Sequence, residues 1–85
     1  MKEFTYKICD ELGIHARPAG VLVKTAAEFK SEITIYKGEK CADAKRIFAV
    51  MGLSAKKGDT LRVTVSGADE DEALVRIEGF FKNNL

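Results

Sequence analysis

The chain has 85 residues, of which 46% are apolar and 32% charged, and a formal net charge of +1. This composition fits one small globular domain over residues 1–85 and weighs against both disorder and a dedicated nucleic-acid binder. No apolar run approaches a membrane span and the N-terminus has no hydrophobic signal core, so the expectation is a cytosolic protein with no membrane insertion.

Phe4, Tyr6 and Ile8 alternate with Thr5 and Lys7, the pattern of a half-buried strand. Ala19, Leu22, Val23, Ala26 and Phe29 then recur at helical spacing. Ile33 and Ile35 alternate with Thr34 and Tyr36, predicting a second strand. A turn at Tyr36-Lys37-Gly38-Glu39 leads into a short third strand around Lys40 to Asp43. Lys45 to Leu53 is apolar and stops at Gly52; Ala49 and Met51 favour a short helix over a strand. After a turn at Lys56 to Asp59, Leu61, Val63 and Val65 alternate with Arg62, Thr64 and Ser66. Asp69 and Glu72 have the spacing of a capping box, and Ala73, Leu74, Ile77, Phe80 and Phe81 stripe a last helix.

The predicted order is β-α-β-β-α-β-α. One-sided strands imply a two-layer α+β domain, its sheet solvated on one face and covered by helices on the other. The first two strands and their helix form a split β-α-β unit into which a later strand can insert.

The chemistry concentrates in Gly13-Ile14-His15-Ala16-Arg17-Pro18-Ala19. His15 stands where the first helix starts, and Pro18 is tolerated in a first turn. The helix N-terminus offers the amides of Ala16 and Arg17 and the positive end of the dipole to an anion. Arg17 adds a guanidinium fork suited to phosphate oxygens. A neutral imidazole is a nucleophile, so a histidine here can accept a phosphoryl group and hold it against the helix. The bland alternative is a surface histidine that merely begins a helix.

Leu12-Gly13-Ile14-His15-Ala16-Arg17-Pro18-Ala19 resembles the phosphorylation-site signature of the histidine-containing phosphocarrier (HPr) family. Ser31-Glu32-Ile33, the segment Ala44 to Leu53 and Gly67-Ala68-Asp69-Glu70 extend the resemblance over essentially the whole chain. It implies an open-faced sandwich: a four-stranded antiparallel sheet of order 1-4-2-3 with three helices on one face. It also implies a carrier that is not itself an enzyme, serving the phosphoenolpyruvate-dependent sugar phosphotransferase system. Enzyme I would phosphorylate Nδ1 of His15, and the group would pass to the A domain of an Enzyme II. Arg17 would orient the phosphoryl group, beside the amides of Ala16 and Arg17. No metal or cofactor is implied, and the carrier is expected to be a monomer.

The same resemblance places Gly20, Val21 and Lys24 of the first helix on a partner-docking surface with Lys45, Ile47, Phe48 and Met51. One departure stands out. Where many Gram-positive members carry a regulatory serine, this chain has Arg46, which has no hydroxyl for a kinase and is a poor helix cap. Two other readings stay open: a nitrogen-branch or regulatory paralogue, and a module that binds a phosphorylated metabolite without covalent transfer. With strand order 1-4-2-3, Cys9 and Cys41 fall at opposite edges, too far apart for a disulfide.

Overall fold

Alternating apolar residues build the sheet. The computed structural model describes residues 1–85 and contains strands β1 (Lys2–Lys7), β2 (Glu32–Lys37), β3 (Lys40–Asp43) and β4 (Thr60–Ser66). They lie in the order β1-β4-β2-β3, and every neighbouring pair is antiparallel. The register sets Phe4 opposite Val63, Val63 opposite Ile35 and Ile35 opposite Ala42, so one row of buried apolar side chains crosses all four strands. The alternate positions point the other way. There Thr5, Arg62, Tyr36 and Cys41 form the matching row, with the Arg62 guanidinium 4.2 Å from the centre of the Tyr36 ring. Cys9 and Cys41 are both exposed free thiols.

Helices α1 (Ala16–Ala26), α2 (Ile47–Gly52) and α3 (Glu70–Asn84) complete the fold. α1 buries Pro18, Ala19, Leu22 and Ala26, and α3 buries Ala73, Ile77, Phe80 and Phe81. Phe81 meets Phe4, Tyr6 and Phe80 edge-on, with ring centres 5.5, 5.7 and 6.1 Å away. Edge-to-face contact suits the aromatic quadrupole and pins α3 to β1. Phe29 lies beyond the end of α1 yet is buried. The chain keeps turning through Glu28 N–H to Thr25 C=O and Phe29 N–H to Ala26 C=O, which preserves the apolar spacing past the helix.

The capping box at the last helix is not formed. Asp69 is the N-cap of α3, but its carboxylate makes no bond into its own helix. It accepts instead from the amides of Lys30 at 2.9 Å and Ser31 at 3.0 Å and from the Ser31 hydroxyl at 2.5 Å. Ser31 is fully buried, so its hydroxyl needs an acceptor inside the protein. That tertiary demand outweighs the local cap. The Ser31 hydroxyl first, then the amide donors, hold the Asp69 carboxyl below the usual carboxylate range. Glu70 turns back in place of Glu72, accepting from the Gly67 amide at 3.2 Å.

Candidate functional site

The segment before α1 is held by a close backbone approach. Gly13 has φ +63°, and a Cβ there would overlap the carbonyl oxygen of Ala55 and lie 2.7 Å from Lys56 Cα. Only glycine fits without strain. The next residue uses that proximity, since Ile14 N–H donates to the same Ala55 carbonyl at 3.0 Å. The loop supplying Ala55 is braced in turn by Lys37, whose ammonium donates to the carbonyls of Leu53 at 3.1 Å and Ser54 at 2.9 Å and pairs with Asp59 at 3.3 Å. The Lys56 amide, and then Lys37, hold the Asp59 carboxyl below its ordinary range.

This bracing delivers His15 to the N-cap of α1 in extended backbone, with φ −95° and ψ −176°. Its carbonyl accepts the first helical bond from Ala19 N–H at 3.0 Å, and its side chain makes no capping bond. The imidazole is left half-exposed. The amides of Ala16 and Arg17 precede the first helical bond and donate to no group of the protein. No acidic residue stands in the first turn of α1, so nothing on the helix repels an anion there.

An open depression beside α1 is lined by Asp10, His15, Arg17, Pro18, Val21 and Asn84. It brings together His15, Arg17 and Val21, three residues singled out from the sequence. Asp10 was not among them. Its Oδ2 lies 3.8 Å from His15 Nε2. The two meet through an irregular turn, in which Gly13 N–H donates to the Asp10 carbonyl at 3.0 Å, and no periodic signal marks such a contact.

The residues expected on a docking surface divide. α1 packs on α2, and Gly20 faces Ile47, whose Cδ1 would sit 3.9 Å from an added Cβ. Phe48 is 86% exposed and Val21 50%, whereas Ile47 and Met51 are half-buried against the core and Val50 and Leu53 lie inside it. Lys24 is exposed in the last turn of α1. Lys45 is tied down, its ammonium donating to the Phe29 carbonyl at 2.7 Å just past α1. Arg46 is the N-cap of α2 and makes no capping bond. Asp43 steadies the approach instead, accepting from Lys45 N–H through its carboxylate at 2.9 Å and from Arg46 N–H through its carbonyl at 3.0 Å.

Residues 2–83 match the model of the family described as the PTS HPr component phosphorylation site. The phosphocarrier protein HPr of Lysinibacillus sphaericus is 47% identical over 73 residues, which cover 86% of this chain and 83% of that protein. The structure of a Mycoplasma histidine-containing phosphocarrier protein superposes with a TM-score of 0.94 at 38% identity, covering 96% of this chain and 93% of the other. Crh, the catabolite repression protein of Bacillus subtilis, solved as a domain-swapped dimer, matches with a TM-score of 0.79 at 29% identity, over 94% of this chain and 92% of its own. No helix here is long and apolar enough to cross a membrane. The chain belongs to the HPr family of phosphocarriers of the phosphotransferase system.

Proposed function

We propose that residues 1–85 act as a phosphoryl carrier in which His15 takes the group from Enzyme I and gives it to the A domain of an Enzyme II. One observation carries the reading: His15 stands half-exposed at the start of α1, beside Arg17 and two free amides in an open depression. The Nδ1 lone pair attacks phosphorus on the phosphorylated donor. A P–N bond forms to His15 as the donor's bond to phosphorus breaks, and that bonding pair stays with the donor. The transferred dianion then lies against the amides of Ala16 and Arg17, the Arg17 guanidinium and the positive end of α1. Donation to the next partner is the same step in the opposite sense.

Both partners must reach the same imidazole, so they share one face. The exposed apolar side chains of Val21 on α1 and Phe48 on α2 would serve it, on two helices that pack together with Gly20 facing Ile47. Incubation with phosphoenolpyruvate and Enzyme I should add one acid-labile phosphoryl group at His15. A module that binds phosphometabolites without covalent transfer would gain no mass.

Arg46 carries a separate expectation. An ATP-dependent kinase that modifies a serine at the start of α2 should leave this protein unmodified. Arg46→Ser should supply both the hydroxyl and a true N-cap, raising stability by about 1 kcal/mol. Mass spectrometry with the kinase and thermal melting of both proteins check the two parts. Kinase-dependent phosphorylation of the unsubstituted chain would contradict the first.

A further inference from the structure

We infer that Asp10 is a positioning residue for His15, holding the ring proton on Nε2 so that Nδ1 keeps its lone pair for phosphorus. The inference rests on His15 being the phosphoryl acceptor. Neutral imidazole carries its proton on one nitrogen and its lone pair on the other, and the group facing each nitrogen decides which. Here the Asp10 carboxylate faces Nε2 at 3.8 Å and makes no other ion pair or hydrogen bond. Its backbone is fixed at both ends. Asp10 N–H donates to the Leu85 carbonyl at 2.7 Å, its own carbonyl accepts from Gly13 N–H at 3.0 Å, and His15 N–H donates to the Gly13 carbonyl at 3.1 Å. The carboxylate and the imidazole therefore belong to one small hydrogen-bonded turn. At 3.8 Å the pair is longer than a hydrogen bond, as resting sites often are before the reacting group arrives.

The proton on Nε2 stays in place when phosphorus bonds to Nδ1. The acceptor ring therefore enters the transfer with its lone pair already free, and no proton has to leave it.

The test compares the unsubstituted protein with Asp10→Asn and Asp10→Ala. Imidazole tautomers are read by long-range nitrogen–proton NMR, and the initial rate of phosphoryl acceptance is read with Enzyme I and phosphoenolpyruvate. Asn keeps an acceptor oxygen but no charge. It should preserve both the Nε2–H tautomer and the rate. Ala should shift the ring toward Nδ1–H and lower the rate about two- to fivefold, in step with the lost Nε2–H fraction. A purely structural role for Asp10 would move neither reading while the sheet amides keep their chemical shifts. An unchanged tautomer and rate in Asp10→Ala overturns the inference. An unsubstituted protein that takes no phosphoryl group overturns the acceptor role itself, and this inference with it.

Discussion

Gly13→Ala should lower the stability of the protein by about 3 kcal/mol, or roughly 15 °C in Tm for a domain of this size. Two costs combine. An alanine at φ +63° adopts the left-handed backbone that L side chains avoid, and its Cβ collides with the Ala55 carbonyl and Lys56 Cα. Neither neighbour is a flexible side-chain tip, so the backbone itself must move. Relief would separate the two loops and break the bond from Ile14 N–H to Ala55, displacing His15 from the start of α1. Phosphoryl acceptance should therefore fall even where the variant stays folded. Gly38 supplies the control. Its φ is +59°, and an added Cβ would meet nothing within 4 Å. Gly38→Ala should show the conformational cost alone, roughly 1 kcal/mol. Equal losses at the two positions in thermal melts would mean that the close approach to Ala55 contributes nothing.

Asp69→Asn should be the other large loss, on the order of 10 °C in Tm at neutral pH. The substitution keeps the shape of the side chain but removes the charge that the Lys30 amide, the Ser31 amide and the Ser31 hydroxyl all address. The effect has a pH signature. Those donors lower the carboxyl in the folded protein below its unfolded value near 3.8. The unfolded chain therefore binds the proton more readily. The stabilisation is complete above that unfolded value and is lost as pH falls through the lower, folded one. The gap between the two proteins should thus be widest near neutrality and narrow steadily below about pH 4. Melting curves across an acid series check this. A gap that stays constant down to pH 2 would mean that the amide group set against those donors, and not the lost charge, is responsible.

Most of the fold was legible because the elements are short and strongly patterned. Leu61, Val63 and Val65 marked β4, and Gly52 with Ala49 and Met51 was enough to read α2 as a helix. Strand order is a tertiary property. The residues indicated only that a strand could insert between β1 and β2, and the full order came from the family resemblance. Local pattern falls short where a side chain answers a distant group. The pattern Asp69 to Glu72 is a sound local signal, but a buried hydroxyl 38 residues away takes the carboxylate. Lys45, which the resemblance puts on the docking surface, likewise reaches with its long stem to the Phe29 carbonyl beyond α1, a contact that its place in the sequence does not announce. In the site, Gly13, His15 and Arg17 were visible as a motif. Asp10 and Ala55 reach it only through loop geometry, which no periodicity encodes.

A covalent bond from His15 to phosphorus leaves a mass signature. The protein and its His15→Ala variant are incubated with phosphoenolpyruvate and Enzyme I, and intact masses are recorded before and after brief acid treatment. His15 is the only histidine of the chain. The unsubstituted protein should gain one phosphoryl group and lose it on acidification, and the variant should gain none while still melting cooperatively. An equal gain in His15→Ala, or no gain in the unsubstituted protein under conditions that phosphorylate another HPr, would contradict the bond from His15.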